Sequence, residues 1–298
     1  MKRPSDLAAR LGVAAVGIPV VLGVLWLGGW ALAGLIGFLA VLGAGEFYAL
    51  VRNRGDVPFG VLGAGVAGIL VLTAGADPEL ARFAPRAVWL LLGLSGLTLA
   101  LSLRFRWPGG SPLGAFSSTL AGVLYVGVPL SFVPLLRALG STPLADVAGG
   151  PGATFFVPMA FVLLPLLTTW AGDTAAYFVG HAVGRRKLAP AVSPGKTIEG
   201  SLGGVAGSVG AATLVAYLWL AELPVRAVPV GTAALVGLAL AVATQLGDLV
   251  ESALKREAGV KDSGSLLPGH GGVLDRLDAL LFAFPLTWFL LSLIWRGA

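Results

Sequence analysis

Residues 11–45 read LGVAAVGIPVVLGVLWLGGWALAGLIGFLAVLGAG and hold no charged side chain. About 20 apolar residues cross a bilayer as a helix, so this run is too long for one crossing. Gly28-Gly29 divides it in two, and Trp26 and Trp30 flank the turn as indole anchors at a membrane–water boundary. The stretch sets the fold class: an all-α, polytopic integral membrane protein. Outward from it, further spans are expected at about 58–76, 86–103, 114–136, 154–178, 200–221, 228–247 and 279–295, nine helices in all. Composition agrees. Hydrophobic residues make up 56% of the chain and charged residues 12%, with a mean hydropathy of +0.89. Soluble domains carry about 25% charged residues.

The basic residues orient the layout. With the N-terminus in the cytoplasm and sides alternating, only Arg82, Arg86, Arg137, Arg226 and Arg296 fall outside. All other lysines and arginines fall inside, as the positive-inside rule expects. The C-terminus is then periplasmic, and loops 179–199 and 248–278 share the cytoplasmic face. Lys2 and Arg3, the apolar run and Ala31-Leu32-Ala33 fit a signal-peptide pattern, but the run continues through Leu42, which argues against cleavage. The chain reads as a single membrane domain, 1–298, in which the outer loop 137–153 is the best internal boundary.

Several chemistries are excluded. There is no cysteine, hence no disulfide framework and no thiolate metal site. Two histidines, His181 and His270, are too few for zinc without carboxylate help. The net charge of +5 is dispersed over short loops, a membrane pattern rather than a nucleic-acid surface.

Charge concentrates from Ser252 to Asp278, SALKREAGVKDSGSLLPGHGGVLDRLD. Unpaired groups of this kind cost several kcal/mol in lipid, so the segment must face water or a wet cavity. Its Pro-Gly-His-Gly-Gly turn places backbone donors beside carboxylates, a combination suited to a polyanion held with a metal ion. Asp248, Glu251, Ser252 and Lys255 fall at i, i+3, i+4 and i+7, one helical face. A solvated helix end with a Glu251–Lys255 pair is the plainer alternative; Asp248, at the end of a span, needs a partner. Asp275 and Asp278 open the last helix, where acids also serve as ordinary caps. Beside His270-Gly271-Gly272, a metal role is the sharper reading. Carboxylates without thiolate or clustered imidazole favour magnesium.

Asp173, Tyr177 and Gly180 form an i, i+4, i+7 stripe ending the sixth span, with a structural salt bridge of Asp173 as the alternative. Ser193-Pro194-Gly195-Lys196-Thr197 precedes a helix start and offers hydroxyls, a lysine and backbone donors to an anion. Pro190 stands where a nucleotide-hydrolase loop needs its first glycine, so that motif is not supported. Glu46 reads as structural, with Arg52 able to neutralise it.

Ser252 to Asp278 resembles the signature of the phosphatidate cytidylyltransferases, or CDP-diacylglycerol synthases: Ser-x-apolar-Lys-Arg, four residues, Lys-Asp, then Pro/Gly-x-His-Gly-Gly-apolar-x-Asp-Arg-apolar-Asp. Asp173–Gly180 and Ser193–Gly200 resemble further segments of that family in the right order. The resemblance is clear over about 154–298, the expected catalytic helices; 1–140 would be a membrane and dimer scaffold. It implies transfer of CMP from CTP to phosphatidic acid, giving CDP-diacylglycerol and pyrophosphate in phospholipid biosynthesis. It also implies a homodimer in a bacterial-type cytoplasmic membrane with the site on the cytoplasmic side. Metal-binding acids correspond to Asp248 and Asp275, with Glu251 and Asp278 as further candidates, for Mg2+ and a possible second cation. The expected catalytic set is Asp248, Asp275, Lys255, Arg256, Arg276 and His270. Substrate binding is expected from Ser193, Lys196, Thr197, Ser252, Lys261, Gly271, Gly272 and Asp173. A secondary transporter is the rival from another class, but it would place acids near the midplane of matching halves. A polyprenol kinase or ether-lipid cytidylyltransferase is the nearer rival.

Overall fold

A computed structural model of the chain describes residues 4–141, 153–220, 229–266 and 271–296. It is a helical membrane protein. Helices run over Pro4–Leu27 (α1), Gly29–Asn53 (α2), Gly60–Ala76 (α3), Leu80–Phe105 (α4), Pro112–Gly122 (α5), Val128–Leu139 (α6), Ala153–Val183 (α7), Ile198–Val215 (α8), Val230–Glu257 (α9) and Leu274–Arg296 (α10). A π-helical turn, Val123–Gly127, joins α5 to α6, and another, Ala216–Leu220, extends α8. Among the described residues, seven helices are long and apolar enough to cross a membrane. Gly17–Leu27 and Gly60–Ala76 are apolar but shorter. At 1.5 Å per residue the 17 residues of α3 reach about 25 Å, less than the roughly 30 Å hydrocarbon core.

The break between α1 and α2 falls where the charge-free run was divided: Gly28 and Gly29 have φ of 62° and 50°, a region that glycine occupies without steric cost. Two differences from expectation bear on the charged segments. The segment read as a loop from 248 begins as helix, because α9 carries its charged residues through Glu257. The loop after α7 contains a two-stranded antiparallel sheet that the all-α reading omits. Lys187–Ala189 (β1) pairs with Ser193–Thr197 (β2), Lys187 opposite Thr197 and Ala189 opposite Ser193, with an irregularity between.

Two compact units emerge. The first comprises Met1–Leu135 and Leu254–Leu277, the second Leu136–Ala253 and Asp278–Ala298. In the first, Tyr48 of α2 is fully buried and its hydroxyl donates to the Thr119 carbonyl at 2.6 Å. The Thr119 hydroxyl in turn accepts from Phe59 N at 2.9 Å. Glycine makes room for the ring: a Cβ at Gly122 would lie 2.5 Å from Tyr48 Cε1.

The second unit is built on the pairing of α7 with α8. Association in lipid gains little from the hydrophobic effect, so helices close on small residues and interhelical hydrogen bonds. Ser208 Oγ donates across to the Thr168 carbonyl at 2.9 Å. A Cβ at Gly207 would lie 2.7 Å from both the Ala171 carbonyl oxygen and the Ala175 Cβ, whereas nothing lies within 4 Å of one at Gly210. Gly207→Ala should therefore lower thermal stability in detergent by about 1–3 kcal/mol. Gly210→Ala, three residues on in the same helix, should be neutral or slightly stabilising. Thermal unfolding of the two single variants against the parent checks this.

Candidate active site

In the second unit, α7, the β1–β2 hairpin, the first turn of α8 and α9 enclose an open cavity of about 650 Å³. Its lining includes Asp173, Tyr177 and Gly180, so the stripe anticipated on α7 faces one space. Lys187, Lys196 and Thr197 come from the hairpin, and Gln245 and Asp248 from α9. Lys196 Nζ meets Asp248 Oδ2 at 2.5 Å, and Ser252 Oγ donates to Asp248 Oδ1 at 3.3 Å. The partner that Asp248 needed is therefore Lys196. Both charges act on Asp173.

Local sequence explains how the hairpin is held. Thr197 ends β2 and caps α8, its Oγ1 accepting from Gly200 N at 3.1 Å, the usual way a threonine satisfies an orphan helix donor. Glu199, in the first turn, accepts from the backbone N–H of Arg185 at 3.0 Å and of Arg186 at 3.2 Å. The basic triplet is thus fixed through its main chain, and the Arg185, Arg186 and Lys187 side chains stay exposed. Gln245 donates to the Ser201 carbonyl at 3.2 Å and is hydrogen-bonded to the Ser201 hydroxyl, tying α9 to α8.

The first unit gathers the other end of the charged segment. Lys255 Nζ meets Asp275 Oδ1 at 2.7 Å, with side chains 14% and 7% exposed. Asp275 Oδ2 accepts from Ser263 N at 2.9 Å and Gly272 N at 2.8 Å, while Asp275 N donates to Ser263 Oγ at 3.3 Å. Asp275, in the first turn of α10, therefore anchors the preceding loop. Gly271 adopts φ of 82°. Gly272 is buried with its N–H committed to Asp275. Glu46 takes different partners from the one expected. Its carboxylate accepts from Ser263 Oγ at 3.0 Å, Val273 N at 3.0 Å and Leu274 N at 2.8 Å, and no ion pair with Arg52 forms.

The remaining expected residues are dispersed. Glu251 is wholly buried, so the helix is not solvated there. Arg256 is exposed and donates to the Val260 carbonyl at 3.4 Å. Lys261 and Arg276 are exposed, Ser193 is half-buried in β2, and Asp278 Oδ1 accepts from Ala279 N at 2.6 Å. His270 lies outside the described residues. Asp248 and Asp275, the acids expected to share a cation, belong to different units. Sequence reasoning passed over Gln245, although it shares a helical face with Asp248 and Ser252 at i, i+3, i+7. It also passed over Ser263, for which spacing gives no signal.

Magnesium is usually held by one or two carboxylates together with substrate phosphates and retained waters. Asp173 and Asp248, on one cavity, meet that donor requirement. Among the described residues no group of three or more His, Cys, Asp or Glu side chains converges as an all-protein cage.

The whole span from residue 8 to 294 matches the cytidylyltransferase family. The chain belongs to that family. Over 303 residues it is 34% identical to a phosphatidate cytidylyltransferase of Synechocystis sp., covering 96% of each protein. A phosphatidate cytidylyltransferase of Brucella suis is 34% identical over 290 residues, 95% of this chain and 93% of that one. A Bacillus subtilis protein of the same name is 47% identical over 135 residues, 45% of this chain and 48% of that one. The chain is thus an enzyme of nucleotidyl transfer embedded in a membrane by several helices.

Glu199→Ala should release the basic turn while leaving α8 in place. Amide hydrogen exchange at Arg185 and Arg186 should then accelerate by about tenfold or more, reporting local opening of that turn. Unchanged protection would mean that the side-chain carboxylate does not hold it.

Proposed function

We propose that this chain is a phosphatidate cytidylyltransferase, transferring CMP from CTP to phosphatidic acid to give CDP-diacylglycerol and pyrophosphate for phospholipid biosynthesis. The observation that carries the reading is the cavity in which Lys187 and Lys196 stand with Asp173 and Asp248 beside the capped start of α8. It lies in a chain matched to the cytidylyltransferase family almost end to end.

The chemistry asks for little proton transfer. An oxygen of the lipid phosphate attacks the α-phosphorus of CTP, a new phosphoanhydride bond forms, and the α–β bond breaks with departure of pyrophosphate. A phosphate monoester has a second pKa of about 6, so the nucleophile is largely ionised near neutral pH. No general base is required. What matters is neutralising two anions and aligning them in line.

The residues divide that work. Lys187 and Lys196 screen the triphosphate, and the hydroxyls of Ser193 and Thr197 donate to its oxygens. In the free enzyme Lys196 rests on Asp248. An arriving triphosphate competes for the ammonium, leaving the Asp248 carboxylate available to a cation. Asp248, with Asp173 from the same cavity and Asp275 as the resemblance implies, would hold magnesium, with Glu251 and Asp278 as further candidates and a second cation beyond it. Bound there, magnesium would offset charge on the transferring phosphate and the leaving pyrophosphate. Lys255, Arg256, Lys261, Arg276 and His270 attend the phosphates from the charged segment, with Ser252 and Gly271 beside them. Helix α9 carries both Asp248 and Lys255 in its sequence.

The proposed setting is a bacterial inner membrane crossed nine times, with the N-terminus and the site cytoplasmic, the C-terminus periplasmic, and two chains per assembly. The acyl chains of the lipid stay in the bilayer while its headgroup meets CTP at the inner surface.

The purified protein should make CDP-diacylglycerol from CTP and phosphatidic acid with magnesium and lose that activity with a chelator. Failure with phosphatidic acid but turnover of an isoprenoid lipid would replace the proposed acceptor. Asp248→Asn should lower activity by at least about 100-fold while the protein still inserts and folds; near-normal turnover would remove its assigned role. Because the chain has no cysteine, an Arg185→Cys variant should react with an impermeant maleimide only from the cytoplasmic side. Labelling from outside would reverse the proposed topology.

A further inference from the structure

We infer that Glu46, on the N-terminal helix α2, is a positioning residue for the transfer reaction: it clasps the segment that carries Lys255 and Asp275 and so fixes their placement. The inference rests on the activity proposed above and extends it to a helix that the signature does not include.

The geometry is specific. Glu46 lies 217 residues before Ser263 and 228 before Leu274, yet it accepts from the Ser263 hydroxyl and from two successive backbone N–H groups at the start of α10. Those amides are among the four at a helix N-terminus that no carbonyl within the helix can satisfy. Val273, Leu274 and Ser263 are all buried, so water is poorly placed to substitute, and removing the acceptor strands donors at a cost. Glycine leaves room on both sides of the clasp: a Cβ at Gly264 or Gly272 would run into the Glu46 carboxylate as it is placed.

The clasp continues to the charged pair. Ser263 donates its hydroxyl proton to Glu46 and accepts with the same oxygen from Asp275 N, and its own N–H donates to Asp275 Oδ2. Asp275 then holds Lys255. A chain of direct contacts, Glu46–Ser263–Asp275–Lys255, therefore runs from α2 to a lysine assigned to the phosphates. A plain helix cap would contribute stability alone. A positioning residue must also change turnover.

The test uses the full chain in detergent with CTP and phosphatidic acid. It adds a spin label on Leu266→Cys, a residue 55% exposed in the same loop of a cysteine-free protein. Glu46→Ala should lower kcat roughly 100-fold while KM for CTP stays within about threefold, the pattern of misplaced groups rather than lost nucleotide contacts. The label should become more mobile. Glu46→Gln keeps one acceptor oxygen and the same shape, and should recover kcat to within about tenfold of the parent, with an intermediate label. Three results would overturn the inference: kcat in Glu46→Ala within threefold of the parent, a label no more mobile than before, or a loss confined to stability with the folded fraction turning over normally. If the parent itself makes no CDP-diacylglycerol, the proposed activity falls. The label alone then decides whether Glu46 holds the loop.

Discussion

A carboxylate carried by a membrane helix is tolerated only where its charge is met inside the protein, because lipid supplies neither hydrogen bonds nor counterions. That constraint organises two polar clusters among the described residues. In one unit Asp248 is met by Lys196 and Ser252. In the other Asp275 is met by Lys255 and two backbone N–H groups, and Glu46 by a hydroxyl and two more. Each acid sits at or near the end of an apolar helix. The polar chemistry is thereby concentrated where helices stop and backbone donors are free.

The same economy shapes the apolar interior. Side-chain hydroxyls along the spans mostly fold back onto their own helix, as Thr98 does to the Leu94 carbonyl and Thr287 to the Ala283 carbonyl. Where a hydroxyl crosses between helices, as Ser208 does to Thr168, small residues have brought the backbones close enough for it to reach. The cavity wall depends on that closeness too. A Cβ at Gly200 would lie 2.9 Å from the Ala176 carbonyl oxygen and 2.9 Å from Thr197 Oγ1. The first turn of α8 could not pack this closely on α7 if that position carried a side chain.

How much of this was legible in the sequence follows from how local each feature is. Charge-free runs and glycine breaks fix where helices lie, since each depends on a few adjacent residues. The stripe of Asp173, Tyr177 and Gly180 was readable for the same reason, and so was the helix start that follows Thr197. The hairpin was hidden because Ser-Pro-Gly-Lys-Thr carries loop chemistry, and its strand character arises only through pairing with Lys187–Ala189. The clasp of Glu46 on Ser263 was invisible: nothing within several residues of either position encodes a partner more than 200 residues away. Arg52 looked like the natural partner because it is near in sequence, but backbone donors at a helix start compete for the carboxylate on better terms. They are already fixed in place, whereas an arginine must give up side-chain entropy to bind.

This commitment of backbone donors bears on what the charged segment can offer a polyanion. A glycine-rich turn before a helix invites comparison with phosphate-binding loops, whose N–H groups point at the ligand. Here the N–H groups of Ser263, Gly272, Val273 and Leu274 all point at carboxylates. Those amides hold the protein together and are not available to phosphate. Side chains on the same segment stand outward instead: Arg256, Lys261 and Arg276 are exposed. These described residues therefore anchor the segment through its main chain while it bears outward cations. In the proposed reaction, cations on long stems would follow a substrate whose charge moves from lipid phosphate to leaving pyrophosphate while their points of attachment stay fixed.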